Sequence, residues 1–405
     1  MSDLSRKLTD KLSVQSQKQD GIYFTPYDDV KYVSEYVLKT MGGGDLIRTI
    51  LEPSCGSCEF VRYLDGRLRG KGVKIDGYEI NDTIFEEIGK LKFQNQVRLV
   101  HGDFLSTSSR SRKYDVIIGN PPYYETHNHA YPHMFDRKIN IYLLFIMKSL
   151  EMLAPNGVLA FVLPINFLNN RYANEFRKHI ARTFKVVHLE VFGESKYLNT
   201  SQDTFAIILQ NAKPGKSWRR YSLAIQDVLI YNSATNVAAL NELMREKPSN
   251  LVTLGFRVSV GNVLWNANRE LLTNDSSKPR LIYSSDIVNK KISTTPKDRK
   301  PRHIDLPESS SSSGARIVVN RGHGGAGKYE FKYALIPESD KNYFLENHVL
   351  SITLDKECSK AVRTKKLKLL MKQLGDKRTR RFIEIVFTNN AINKYELLHM
   401  VPIFV

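Results

Sequence analysis

The stretch Asn120-Pro121-Pro122-Tyr123 combines residue types that prescribe a chemistry. Two adjacent prolines fix the backbone and remove two N–H donors, so a rigid turn is expected. The turn follows the apolar run 115–118, which reads as a strand, and ligands of open α/β sheets bind beyond the carboxyl ends of strands. A stiff turn there holds the Asn120 side-chain oxygen and the Pro121 carbonyl as two acceptors. An exocyclic amine has two N–H donors to offer them. When both are accepted, its lone pair is directed at an electrophile such as an activated methyl group. Tyr123 adds a ring on which a flat heterocycle can stack, a contact worth roughly 1–3 kcal/mol.

Such a turn needs a sheet beneath it, and the surrounding sequence supplies one. Short runs rich in apolar residues at 49–51, 73–78, 97–100, 115–118, 158–163, 186–191 and 204–209 read as strands. Several are continuously apolar, as strands buried on both faces are. Helical patterns at 82–92, 141–153 and 174–183 lie between them. Strand–helix alternation of this kind predicts a parallel or mostly parallel α/β sheet. After Gln210 the texture changes. The polar segment 211–220, with Pro214 and Gly215, marks the expected boundary, giving domains at 1–214 and 215–405. The second part is irregular, with a long loop at 292–315, a serine run at 309–313 that should be mobile, and basic helical or segment-like stretches at 359–374 and 377–386.

The tetrapeptide and its neighbours resemble the amino-methyltransferases of DNA, in which NPPY is the form typical of adenine enzymes. The order of motifs is similar to that of the gamma group, the TaqI-like enzymes. The resemblance covers about the first 210 residues. It implies a Rossmann-like methyltransferase domain that binds S-adenosyl-L-methionine, followed by a mixed α+β target-recognition domain. Residues 50–60, ILEPSCGSCEF, look like the cofactor loop of that family, which assigns Glu52, Pro53, Ser54 and Gly56 to the cofactor. The family often has glycine where Cys58 stands. Glu79, at the end of the next strand, suits the two ribose hydroxyls, with Ile80 beside it. Asp103 is expected on the cofactor's adenine amino group and Phe104 on its ring. Upstream, residues 21–26, GIYFTP, resemble the segment that closes over the methionine carboxylate, with Thr25 as the contact. Catalysis falls to Asn120, Pro121, Pro122 and Tyr123. An aromatic that packs against the flipped target adenine is expected at Phe192, with Tyr197 as the alternative. Thinner matches to the group's recognition domains occur at 255–262, 346–348, 395–398 and 402–404.

Charge favours a polyanionic partner. From Gly215 onward there are 32 Lys/Arg against 18 Asp/Glu, an excess of 14, whereas the first 214 residues hold 28 and 24, an excess of 4. A basic second half is the electrostatic footprint of a phosphate backbone, here double-stranded DNA. RNA or a protein glutamine is the competing acceptor, and a catalytically silent DNA-binding subunit the competing class. A cognate restriction endonuclease acting on the same site would be the functional partner, and a monomer is expected. Three cysteines, a polar start and no long apolar run fit a reducing cytoplasm.

Three other signals are weaker. Residues 322–328 imitate a phosphate-binding loop, but Tyr329 stands where a magnesium-holding hydroxyl would be needed. Cys55 and Cys58 have metal or redox spacing without a second pair. His127, His129 and His133 cluster after the NPPY turn, where a loop near the substrate is the preferred reading. No metal is expected.

Overall fold

The computed structural model describes residues 2–108, 112–135, 138–192, 203–293, 300–321, 329–387 and 392–405. The chain divides into two compact units, residues 1–238 and 239–405.

Seven strands make the sheet of the first unit: β1 (Thr49–Glu52), β2 (Lys74–Glu79), β3 (Gln96–His101), β4 (Tyr114–Gly119), β5 (Leu153–Pro164), β6 (Lys185–Val191) and β7 (Thr204–Gln210). Their order is β3-β2-β1-β4-β5-β7-β6. β1 to β5 are parallel neighbours, and β7 runs antiparallel to both β5 and β6. This is a Rossmann-like arrangement. Strand order reverses between β1 and β4, so the loops that leave these two strands diverge and open a crevice at their carboxyl ends.

The continuous apolar runs are explained by burial on both faces. In β5, Val158, Ala160 and Val162 join one core while Leu159, Phe161 and Leu163 join the other. The same alternation splits β7 between Ala206 and Ile208 on one side and Phe205, Ile207 and Leu209 on the other. The first face is covered by the helices α1 (Asp3–Lys11), α3 (Tyr27–Thr40), α4 (Glu59–Arg67) and α5 (Asp82–Ile88), with α2 (Val14–Asp20) joining α1 to the segment that precedes α3. The second is covered by α6 (Tyr142–Glu151) and α7 (Asn174–Thr183).

The first unit extends beyond residue 214, the expected limit. An antiparallel hairpin, Ser222–Ile225 with Val228–Tyr231, packs on α7. Arg177, fully buried, donates from Nε to the Leu229 carbonyl at 2.6 Å, from Nη1 to the Phe167 carbonyl at 2.8 Å and from Nη2 to the Asn170 carbonyl at 2.7 Å. Burial pulls its pKa down to about 10. Asn174 adds a second clamp, accepting from the Leu229 N–H at 2.8 Å and donating to the Asp227 carbonyl at 2.9 Å.

The second unit is mixed α+β. An antiparallel sheet orders Phe256–Val260, Val349–Leu354, Arg316–Asn320 and Tyr333–Ile336. A smaller mixed sheet orders Leu272–Thr273, His303–Ile304, Arg280–Ile282 and Tyr343–Leu345. Two of the thin sequence matches meet here: an added Cβ on Gly261 would come 2.1 Å from the Glu346 carbonyl oxygen, so the 255–262 segment and the 346–348 turn require a glycine between them. The serine run is tied down, because Ser312 and Tyr343 exchange backbone hydrogen bonds of 2.7 and 3.1 Å. Residues 322–328 lie outside the described residues. Among the described residues no helix is long and apolar enough to cross a membrane.

Replacing Arg177 with leucine should strip three buried carbonyls of their donors at roughly 1–3 kcal/mol each, offset in part by the lost desolvation of the guanidinium. Thermal unfolding of the Arg177→Leu chain is expected to shift down by several degrees; an unchanged midpoint would show that the hairpin is held by its apolar contacts alone.

Candidate active site

Five segments converge at the carboxyl ends of β1 to β4, around a cavity of about 340 Å³, a size within the range of small-molecule sites. The loop after β1 makes its floor. The Cys55 N–H donates to the Tyr78 carbonyl at 2.8 Å, which ties the loop to β2. Gly56 has φ of +49°, a left-handed conformation that glycine adopts without strain, and lies against the Phe24 ring of the N-terminal segment. Cys58 caps α4 with φ of +60°, a left-handed conformation that costs a non-glycine residue roughly 1–2 kcal/mol. That geometry accounts for the glycine the family often has there; the thiol that replaces it is fully buried.

Glu79 ends β2 with its carboxylate folded back under the loops. Its Oε2 accepts from the Gly56 N–H and its Oε1 from the Asn81 N–H, both at 2.9 Å. Burial pushes its pKa up, against these backbone donors. Ile80 stands 66% exposed beside it, an apolar side chain left facing outward on the cavity wall. Beyond β3, Asp103 accepts from the Leu105 N–H at 2.8 Å and the Ser106 hydroxyl at 2.7 Å, which fixes the turn that carries Phe104. The Phe104 ring packs edge-on against Tyr78 and tilted against Phe145. Lys148 of α6 holds this turn from below. Nearly buried, it donates to the Leu105 carbonyl at 2.7 Å and to the Thr107 carbonyl, and burial lowers its pKa.

After β4 comes the NPPY turn. Asn120 Nδ2 donates to the Tyr23 carbonyl and to Thr25 Oγ1, each at 3.1 Å. Tyr123 donates its hydroxyl proton to Asn120 Oδ1 and lies 3.0 Å from the Val162 carbonyl. Gly21 explains why the N-terminal segment can sit so close: its φ is +63°, and an added Cβ would stand 2.6 Å from the Tyr123 nitrogen.

Of the residues singled out in the sequence, Pro53, Ser54, Gly56, Glu79, Ile80, Asp103, Phe104, Asn120 and Pro122 line this one cavity. Four lie behind it or beside it. Glu52 is buried beneath the loop, accepting from the Val61 N–H of α4 at 3.2 Å, with its pKa pushed well up by burial. Thr25 is buried against Asn120, and Pro121 and Tyr123 stand on the other side of the turn. Phe192 is apart from the cavity, at the end of β6, edge-on to Tyr32 of α3 at 5.8 Å. Tyr197 is outside the described residues. Beyond Asp20 and the closing segment already named, the lining residues that sequence reasoning did not assign include Tyr78, Asn81, Tyr124, Ile141 and Phe145. Tyr124, directly after the motif, was the most visible of these; Ile141 and Phe145 carry no signal beyond the apolar face of α6.

The wall carries the carboxylates of Asp20, Glu79 and Asp103, and no lysine or arginine among the described residues that line it. Such a field favours a cationic ligand, and a buried carboxylate beside an exposed isoleucine suits a ribose with a flat ring attached. Among the described residues no group of His, Cys, Asp or Glu is arranged to hold a metal ion.

Residues 56–197 match the family model of the Eco57I restriction-modification methylase. Type II methyltransferase M.CvrRI of Paramecium bursaria Chlorella virus XZ-6E is 27% identical, covering 99% of this chain and 98% of the viral protein. Modification methylase CviBIII of Paramecium bursaria Chlorella virus NC1A is 24% identical, with 97% and 96% covered. The chain is similar to restriction–modification methyltransferases. Its cofactor is S-adenosyl-L-methionine, whose sulfonium charge and ribose diol fit the wall just described. Among solved structures, the DrdV–DNA complex shares the fold, with a TM-score of 0.50 at 13% identity, covering 94% of this chain and 55% of DrdV.

The Glu79 shift gives a pH prediction. Because burial raises its pKa above the ordinary 4.5, acidification protonates it at a higher pH than a free glutamate, and a neutral acid is the poorer acceptor for two hydroxyls. Calorimetric affinity for S-adenosyl-L-methionine should therefore weaken as pH falls toward and through that raised value. Glu79→Gln should bind weakly throughout and lose the dependence; a wild-type affinity flat down to pH 4.5 would count against the role.

Proposed function

We propose that this protein is a site-specific DNA adenine N6-methyltransferase, protecting duplex DNA in a restriction–modification system. The observation that carries the reading is the fixed orientation of Asn120 beside a cavity suited to S-adenosyl-L-methionine: both of its amide hydrogens are consumed by the N-terminal segment, so its oxygen is left as the acceptor. The names of the relatives, which are type II and modification methylases, favour DNA as the acceptor class.

The target amine lies inside the stack in duplex DNA, so the adenine must be flipped out to reach the turn. Asn120 Oδ1 and the Pro121 carbonyl then accept its two N–H groups, and Pro122 keeps the turn from yielding. Tyr123 gives up its hydrogen bond to Asn120 and offers its ring to the base. Phe192, on the outer side of the same sheet end, is the proposed second aromatic contact. Pro53, Ser54, Gly56, Glu79, Ile80, Asp103 and Phe104 would hold S-adenosyl-L-methionine, which when bound would supply an electrophilic methyl and depart as the neutral thioether, while the methylated amine would release one proton to solvent. The second unit, residues 239–405, is proposed to carry target recognition, its excess of Lys and Arg over Asp and Glu meeting the phosphates. A monomer, with a cognate endonuclease as its functional counterpart, completes the proposal.

The test is transfer of labelled methyl to unmodified duplex DNA, total RNA and a protein extract, followed by base analysis. Methyladenine in DNA is expected, with Asn120→Ala slower by about 100-fold or more, the scale of losing one aligned hydrogen bond to a reacting group. Label confined to RNA or protein would overturn the acceptor. Tyr123→Phe keeps the ring and removes the competing donor. Its KM for DNA should fall about threefold to tenfold, the worth of one hydrogen bond; a rise would mean the hydroxyl serves the bound state.

A further inference from the structure

The resemblance assigns Thr25 to the methionine carboxylate of the cofactor. Its surroundings assign it elsewhere. Thr25 is 5% exposed, is not among the residues that wall the cavity, and has its hydroxyl oxygen 3.1 Å from Asn120 Nδ2. The second amide hydrogen of Asn120 goes to the Tyr23 carbonyl, also at 3.1 Å. A carboxamide is symmetrical in shape but not in charge. If Asn120 turned over, its oxygen would face the Tyr23 carbonyl, acceptor against acceptor, and its NH2 would take the place now facing Tyr123. The segment that supplies these partners packs directly on the turn, because Gly21 places its backbone where a Cβ would stand 2.6 Å from the Tyr123 nitrogen. Ser54 reaches the same turn from the cofactor loop, its hydroxyl 3.3 Å from the Asn120 carbonyl.

We infer that Thr25 is a positioning residue for Asn120: with the Tyr23 carbonyl it locks the amide so that Oδ1 alone faces the incoming amine. This rests on the reading of Asn120 as the amine acceptor. It also makes the N-terminal segment, which closes the cofactor cavity through Asp20, Ile22, Tyr23 and Phe24, the element that orients the catalytic oxygen. Closure over the cofactor and readiness for the acceptor are then one event.

Thr25→Val keeps the shape and removes the acceptor; Thr25→Ser keeps the acceptor and removes the methyl. Each would be compared with wild type for folding by thermal melting, for S-adenosyl-L-methionine Kd by calorimetry, and for kcat. The expected result is a kcat lower by about tenfold or more in Thr25→Val, an unchanged cofactor Kd, and recovery in Thr25→Ser. A weakened Kd with kcat retained would overturn the inference in favour of the cofactor contact. Equal losses in both variants would overturn it in favour of simple packing, and no change in either would leave Thr25 without this role. The Asn120 side-chain NH2 resonances, identified by their loss in Asn120→Ala, give a readout that needs no activity. They should exchange slowly in wild type and Thr25→Ser and rapidly in Thr25→Val; equal exchange in all three overturns the inference. Wild type that transfers no methyl to any acceptor, yet shows this exchange pattern, would fail the functional reading and leave the locking of the amide standing.

Discussion

The Asn120 carboxamide is where the constraints of the first unit meet. Its oxygen and its nitrogen take different partners, and nothing in the shape of the amide distinguishes the two. The distinction is made by the Tyr23 carbonyl, which can only accept, while the Thr25 hydroxyl anchors the same NH2; both come from almost 100 residues upstream, on a segment that approaches closely because Gly21 has no side chain and φ of +63°. The prolines hold the turn, β4 holds the prolines, and the reversal of strand order between β1 and β4 leaves space for a ligand beside them. Remove the upstream acceptors and the same motif remains, but with an amide free to adopt either orientation.

The sheet was largely legible in the sequence because its central strands are buried on both faces, so that β5 and β7 read as continuous apolar runs wherever they are sampled. All seven strands fall where those runs lie, and α7 has the bounds its pattern implies. Legibility fell at the ends of elements and at boundaries. The polar segment 211–220 looks like a linker, yet the hairpin after it belongs to the first unit, because the deciding contacts come from a buried arginine more than 40 residues earlier. No local pattern reports a hydrogen bond of that range.

In the candidate site the motifs indicated which loops converge better than which side chains face the ligand. Glu52, conspicuous in its motif, turns inward and braces the start of α4. Thr25 turns toward Asn120. Phe192 packs on Tyr32. Conversely Tyr78 and Phe145 reach the cavity from positions whose apolar character is what any core strand or helix would show. Spacing along the chain fixes the order of loops, whereas the facing of each side chain depends on φ/ψ at the strand end and on what packs behind it. Cys58 is a case in which the two agree: the departure from glycine is real, and the left-handed backbone it occupies is the one glycine would have adopted with least strain.

The hairpin held by Arg177 also bears on how such a chain could be recombined. The stretch 211–220 invites a cut, since it is polar and carries Pro214 and Gly215. A chimera joined there would take Leu229 from one parent and Arg177 from the other, and a parent whose hairpin differs in length or register would strand a guanidinium in the interior with one of its three carbonyls missing. The two units are therefore exchanged with least damage when the hairpin travels with the sheet it is bonded to, so that inheritance follows the hydrogen bonds and not the apparent linker.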